Sequence, residues 1–518
     1  MKNIFKNLIL AGLTTSFLIL ISCEDLEEDA RSQISTESFY KTEADAVSAV
    51  QSIYSDLTHN TSGDHATIYN RLLVLATGIL SDDHIPGKGA TNPDVRSIGA
   101  LTTSATSTRY YELWRQHYEA INRANVAIDR IPAITDGNPL VLKRLELEAK
   151  FLRGLLYYNL VRLWGDVPLV LHETKSLDNI NPSRSAKNLV YTQIISDFTE
   201  AAAGLPKKYT GVDAFRATSG AANAFLLSVS VTTHDWARAV NQYNVIQSGG
   251  YGYDLFPDFK DNFVVSKENT VEHIFDANYI ADGTAQLNGK GNTNILSVIS
   301  APYTGFAAGQ GVGYEADAPL ITLRGKFKAN DTRTKVTFND SMRVSITSTN
   351  KFYFPHFYKY WDPAAAANLG NNGVNAPIIR YAEVLLFYAE AQNELGNTSE
   401  AYDAFNKVYK RARPTSTGLT TGLTKDQFRD SLFLERQLEF VYEQIRWFDL
   451  IRINGSGSAI LVPTLKALPD LATSEGLDPN DEWVKAKSKN VSEKFLLLPI
   501  PASELQVNPN LTQNPGWN

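Results

Sequence analysis

Apolar positions recur three and four residues apart in "RYYELWRQHYEAINRANVAIDRI" (109–131) and in "VLKRLELEAKFLRGLLYYNLVRLWG" (141–165). That spacing predicts two long helices, each with one face turned inward. Gly165 and Pro168 supply the stop for the second. The same period predicts helices over 43–57, with Thr42 as N-cap, and over 185–203, 216–231, 234–247, 378–395, 399–412 and 425–451. From 58 to 107 Thr, Ser, Gly and Asp displace the period, so loops with one short helix are expected. Residues 250–375 turn to Gly, Asn, Thr and aromatic side chains with short apolar pieces, and 452–518 are similarly irregular. No linker separates these regions. The pattern predicts a mainly α fold over 43–518, a helical scaffold carrying long irregular loop excursions.

Two predicted helix pairs have the spacing of a tetratricopeptide hairpin. In "AEVLLFYAEAQNELGNTSEAYDAFNKVYKRARP" (382–414), Ala389 is small where paired helices approach and Gly396 sits at the turn. Ala401 and Phe405 face back from the second helix, and Pro414 stops it. In "AANAFLLSVSVTTHDWARAVNQYNVI" (221–246), Ala239 and Tyr243 take the equivalent places. Pairs of this kind cannot bury their inner faces alone, so a stacked array near 216–247 and 378–414 is expected.

The first residues add a destination. Lys2 and Lys6 precede an uncharged run from Leu8 to Ile21, which reads as an export signal over 1–22 and is too short for a membrane crossing. The run ends Leu20-Ile21-Ser22-Cys23, which looks like a bacterial lipobox, with Cys23 the lipidated first residue of the mature chain. Glu24, Asp25, Glu27, Glu28 and Asp29 then form a solvated leash within 23–42. Cys23 is the sole cysteine of the 518 residues, so no intrachain disulfide can form and stability must come from core size. Removing 1–22 leaves 47 basic against 56 acidic groups, a balance of −9. Nucleic acid, whose binding leans on phosphate neutralisation, is disfavoured.

Glu435, Glu439 and Glu443 recur every four residues. A glycosidase pair must face each other across a sugar at roughly 5–9 Å, whereas carboxylates along one side of one helix point the same way. Arg380, Arg411 and Arg413 could neutralise them in forked pairs, so the glutamates read as structural. No zinc-type HxxH, phosphate-binding glycine loop or GxSxG elbow is present, and "AAGQGVGYE" (307–315) lacks a strand before it and a helix after it. No catalytic residue and no cofactor is expected. The aromatic content, with 7 Trp, 24 Tyr and 24 Phe, suits the flat apolar faces of sugar rings; "KFYFPHFYKYWDP" (351–363) is the densest cluster.

Four long segments carry a family resemblance: "FLRGLLYYNLVRLWGDVPLV" (151–170), "IRYAEVLLFYAEAQNELG" (379–396), "ERQLEFVYEQIRWFDLIR" (435–452) and "LLLPIPASELQVNPNLTQNPGW" (496–517). With the lipobox, they make the chain resemble the SusD/RagB family of outer-membrane nutrient-binding lipoproteins from Bacteroidetes. The resemblance implies a lipid-anchored, surface-exposed glycan-binding protein that acts as a lid on a TonB-dependent outer-membrane transporter. The alternatives are peptide-derived nutrients in the same assembly, or a surface glycoside hydrolase. It also implies that oligosaccharide or polysaccharide is held by non-repeat loops without hydrolysis, although no motif carries the contacts over. Chemistry and loop position select Tyr303, Tyr314, Trp361, Asp82, Asp83 and Arg96 as candidate ligand contacts. Asp82-Asp83-His84 offers oxygen ligands of the kind calcium takes, yet two adjacent carboxylates are too few for a site and a solvated loop is expected. The Pro-rich tail is expected to lie as a strap across the helices, anchored by Trp517.

Cys23→Ala is expected to release the protein from the membrane fraction or block its maturation. Membrane retention as firm as that of the parent, measured by fractionation, would show that Cys23 is no anchor.

Overall fold

Thr42 and Asp45 close a reciprocal cap on the first helix, α1 (Glu43–Thr58), the Asp45 amide donating to Thr42 Oγ1 and the Thr42 amide to Asp45 Oδ2. The computed structural model describes residues 39–59, 67–176, 180–281, 292–452 and 459–517. The signal segment, Cys23 and the acidic leash lie outside these residues. The periodic segments form α2 (Thr108–Arg130), α3 (Pro139–Trp164), α4 (Lys187–Gly204), α5 (Ser219–Thr232) and α6 (Trp236–Ser248). They continue as α7 (Tyr381–Glu394), α8 (Thr398–Ala412) and α9 (Lys425–Phe440). Asn138 and Pro139 start α3 by the usual N-terminal chemistry, and Gly165, at φ +72°, ends it. Consecutive helices from α1 to α8 pack against one another, giving a continuous array. Ala239, Ala389, Ala401 and Phe405 are buried where the helices meet, as their spacing requires.

Short strands punctuate the loop-rich region in antiparallel pairs. β1 (His84–Ile85) pairs with β3 (Ala318–Pro319), β2 (His273–Ala277) with β6 (Ala376–Arg380), and β4 (Phe338–Arg343) with β5 (Lys351–Phe357). The C-terminal segment is the expected strap: Leu498 and Ile500 are buried, and the Leu498 amide donates to Leu163 O. The Trp164 indole donates to Pro499 O, and the Trp517 indole to Lys494 O and Leu497 O. One apolar core runs from α1 to this strap.

The structure departs from the periodicity in three places. Over 58–107, where loops with one short helix are expected, there are several helical turns, and those around Leu72–Leu80 are buried because "LLVLATGIL" is apolar on every side. The irregular tail includes α11 (Glu482–Asn490) and shorter helices before it. The helix expected over 425–451 is broken: α9 ends at Phe440, and α10 (Arg446–Ile451) starts after Tyr442 and Gln444 take φ of +66° and +64°. Each left-handed non-glycine residue costs about 1–2 kcal/mol. Offsetting that cost, Tyr442 stacks on Phe357 at 4.6 Å and donates to Leu296 O, while the turn swings Glu443 inward.

That turn completes a buried charge cluster. Glu439 accepts from Arg333, Arg380 and Arg411 at 2.9, 2.6 and 2.5 Å. Glu435 pairs with Arg333 and Arg413, Glu443 with Arg380 and Lys359, Glu272 with Arg380 and Arg411, and Asp331 with Arg333 and Arg413. Four arginines and one lysine thus meet four glutamates and one aspartate, and the cluster is neutral. The expected arginine partners of the glutamate row are all present. Burial alone would raise the Glu439 carboxyl, but Arg411, Arg380 and Arg333 override it and hold it far below the ordinary carboxylate range. The same contest, won by Arg411 and Arg380, lowers Glu272.

A carboxyl lowered by folding stabilises above its unfolded pKa, roughly 4, and loses that contribution as pH falls toward its folded value. Glu439→Gln is therefore expected to cost about 3–5 kcal/mol in urea unfolding at neutral pH. It should also flatten the fall of stability with acid below about pH 4.5. A parallel acid limb in parent and variant would remove Glu439 from that role.

Candidate functional site

The loop after Ser300 is shaped by close backbone approaches. The Gly313 amide donates to Pro302 O and the Tyr314 amide to Val298 O, and a Cβ on Gly313 would sit 2.2 Å from Ala301 O. A Cβ on Gly89 would sit 2.1 Å from Tyr314 O, so the segment after Ile85 lies directly on this loop. Two tyrosines are left facing solvent, Tyr303 at 46% and Tyr314 at 40% exposure. Phe306 from the same loop is buried and packs edge-on against His356, Tyr358 and Trp361 at 5.7, 5.4 and 5.3 Å. Tyr358 and Trp361 stack at 5.0 Å and are half-buried. Phe306 thereby joins the loop of Tyr303 and Tyr314 to the segment carrying Trp361.

β5 extends the aromatic surface. Phe352 and Tyr353 are exposed, Tyr353 at 69%, and Lys88 Nζ lies 4.7 Å from the centre of the Phe354 ring. Beside them opens a cleft of about 740 Å³, bordered by Lys88, Tyr353, Phe354, Arg324 and Trp483. Its size is that of a site for a ligand of a few rings. Arg96 lies in this cleft with its guanidinium 5.1 Å from the Trp483 ring centre and 3.9 Å from Glu482. Arg324 is held in a forked pair by Asp340. The resulting surface combines flat apolar rings with cationic donors at the rim, able to stack on sugar faces and bond to hydroxyls.

The structure therefore places Tyr303 and Tyr314 on the loop whose Phe306 packs on Trp361, and puts Arg96 in the neighbouring cleft. It overturns the surface role of Asp82 and Asp83, which are 1% and 0% exposed. Arg446 grips both oxygens of Asp82 at 2.8 and 3.0 Å, and Lys326 and Gln437 add bonds. Burial would raise Asp82, but Arg446 and Lys326 hold it far below the ordinary range. Burial and the charge of Asp82 raise Asp83. His84 is buried against Asp317, so the expected solvated loop is instead part of the core. Calcium would have to displace two cations here. Among the described residues no group of three or more His, Cys, Asp or Glu side chains is placed to hold a metal ion.

The sequence marks Phe352 and Tyr353 only as members of the aromatic cluster 351–363, and Lys88, Arg324 and Trp483 lie outside every segment it marks for binding. Within that cluster, strand alternation in "KFYFPHF" sets Tyr353 apart from Phe352 and Phe354, since successive side chains of a strand face opposite ways. Nothing local marks Trp483 or Arg324, whose cleft is assembled from segments some 400 residues apart.

Residues 227–517 match a family described as "SusD family", and residues 21–230 one described as "Starch-binding associating with outer membrane". Over 532 aligned residues the chain is 29% identical to SusD-like protein P2 of Formosa agariphila, with 96% of this chain and 98% of the relative covered. Its fold is similar to that of a SusD superfamily protein from Bacteroides vulgatus, at TM-score 0.75 and 24% identity over 92% of this chain and 100% of the other. It is also similar to surface glycan-binding protein A from Bacteroides thetaiotaomicron, solved in complex with laminarihexaose, at TM-score 0.72 and 22% identity over 92% and 100%.

Proposed function

Because this chain belongs to the SusD family, we propose that it is a cell-surface glycan-binding lipoprotein that works with a TonB-dependent outer-membrane transporter in nutrient uptake. The observation that carries the glycan reading is the set of exposed aromatic side chains Tyr303, Tyr314, Phe352 and Tyr353, with half-buried Trp361 packed on Phe306 of the loop that carries the first two. Rings of this kind bind a polysaccharide by stacking, with Lys88 and Arg96 at the rim bonding to hydroxyls. The solved complex of the fold relative from Bacteroides thetaiotaomicron with laminarihexaose supports this ligand class.

The protein binds without cutting. Glu435, Glu439 and Glu443, which recur every four residues, are buried in ion pairs with arginine and lysine and have no access to a sugar. The helix array, packed in tetratricopeptide manner through α5–α6 and α7–α8, is the surface that docks the transporter, leaving the loop-built aromatic surface for nutrient. Lipid on Cys23 and the acidic leash hold the domain at the outer face of the membrane. Among the described residues no helix is long and apolar enough to cross a membrane.

Calorimetry against neutral glycans, acidic glycans and peptides is expected to show heat with a glycan. Tyr303→Ala and Trp361→Ala should each weaken it by about 5- to 10-fold, the worth of one stacked ring, with the circular dichroism spectrum unchanged. Binding that survives both changes, or heat from peptides only, would overturn the glycan surface; sugar products accumulating on long incubation would overturn the non-enzymatic reading. Purification from native membranes in mild detergent is expected to bring down a β-barrel transporter, and recovery of this chain always alone would contradict that partnership.

A further inference from the structure

A second, smaller pocket of about 220 Å³ lies between the α4–α5 connection, the turn after α6 and the start of β2, formed by residues separate from those of the aromatic surface. Its border includes Lys207, Lys208, Tyr209, Tyr251, Tyr253 and His273. The turn "SGGYGYD" (248–254) is built to present its tyrosines. A Cβ on Gly249 would collide with the Tyr251 ring at 2.2 Å, and one on Gly220 with Tyr253 Oη at 2.3 Å. Gly250 and Gly252 take φ of +69° and +77°, which side chains other than glycine rarely adopt. The two rings lie nearly parallel, 5.7 Å apart at 21°, and Asn223 donates to Tyr251 Oη.

The charged side chains that border the pocket are cationic: Lys207, Lys208 and Arg216, the last of them paired with Glu148 and Asp213 behind it. No Asp or Glu borders it. Lys207 and Lys208 are exposed, and among the described residues no ion pair neutralises either, on a chain whose formal charge is −7. His273, with a side chain 1% exposed, gives its Nδ1 to Asp276 at 2.5 Å and leaves its Nε2 without a hydrogen-bond partner. Burial pushes the imidazole down, but the Asp276 carboxylate outweighs it and raises its pKa, favouring an Nε2–H that can donate. The volume holds about seven waters, at roughly 30 Å³ each, or a single pyranose ring.

We propose that this pocket is a second carbohydrate subsite, separate from the aromatic surface, that takes one anionic sugar residue, a hexuronate, with its ring against Tyr251 and Tyr253 and its carboxylate toward Lys207 and Lys208. The choice of a sugar, and only that, rests on the glycan reading of the protein.

The test is saturation-transfer NMR and calorimetry on the full mature chain in detergent, with glucuronate, galacturonate, methyl β-galactoside and inorganic sulfate as probes. At least one hexuronate is expected to bind, at least about 10-fold more tightly than the neutral galactoside, and to weaken as salt is raised. The double variant Lys207→Gln/Lys208→Gln, at exposed positions, should lose at least about 10-fold, while Tyr303→Ala/Trp361→Ala should leave hexuronate binding unchanged. Neither hexuronate binding, the galactoside binding equally well, or sulfate displacing the sugar at the same concentration would each overturn the proposal. So would binding that survives the lysine changes. Hexuronate binding lost with Tyr303→Ala/Trp361→Ala would place acidic sugars on the aromatic surface, ending this inference while leaving the glycan reading intact. Polysaccharide binding that ignores the aromatic changes while the hexuronate behaves as expected would do the reverse.

Discussion

Five buried cations and five buried carboxylates must find each other before this chain can close its core. An unpaired charge there costs several kcal/mol, and removing one partner strands the other. The members come from the start of β2 (Glu272), the turn before β4 (Asp331, Arg333), the segment after β5 (Lys359), the end of β6 (Arg380), α8 and its end (Arg411, Arg413) and α9 with the turn beyond it (Glu435, Glu439, Glu443). The cluster therefore ties the loop-rich region to the helix array. Neutrality makes the cluster tolerable, and forked arginine geometry gives it one arrangement rather than many.

The aromatic surface inherits its position from this cluster. Lys359 is buried against Glu443, and its neighbours Tyr358 and Trp361 stack at 5.0 Å on the far side of the same short segment. Tyr442, one residue before Glu443, stacks on Phe357 at the end of β5. A break in the 425–451 helix thus places an ion-pair partner and a core ring at once, and both hold the strand that presents Tyr353. Rigid support of this kind suits binding by stacking, because little order is lost when a flat ligand settles on rings already in place.

Around Tyr314, Tyr251 and Tyr253 glycine serves close approach rather than flexibility. Gly313 and Gly89 let backbone meet backbone beneath Tyr314, and Gly249 and Gly220 clear room for Tyr251 and Tyr253. The chain is acidic overall, yet the cleft carries Lys88, Arg96 and Arg324, and the smaller pocket carries Lys207 and Lys208. Net charge averages over these patches and is a poor guide to what either one holds.

The sequence by itself determined the helices, because amphipathic period, caps and stops are local: Thr42, Asn138 and Gly165 act on residues within one turn of themselves. It also determined that the glutamate row needed arginines, since like charges four apart on one face demand neutralisation, and it drew attention to the aromatic loop that carries Tyr303 and Tyr314. Tertiary structure alone decided what is inside. Asp82 and Asp83 read as solvated because their neighbours are polar, yet Arg446, 364 residues away, and Lys326, 244 away, make their burial affordable. Tertiary structure also decided the break after Phe440, where long-range contacts of Tyr442 and Glu443 outweigh helical propensity. The cleft at Arg96 and Trp483 and the pocket at Tyr251 and His273 exist only once distant segments meet. Periodicity is a property of neighbours along the chain, whereas burial, charge balance and concavity are properties of neighbours in space.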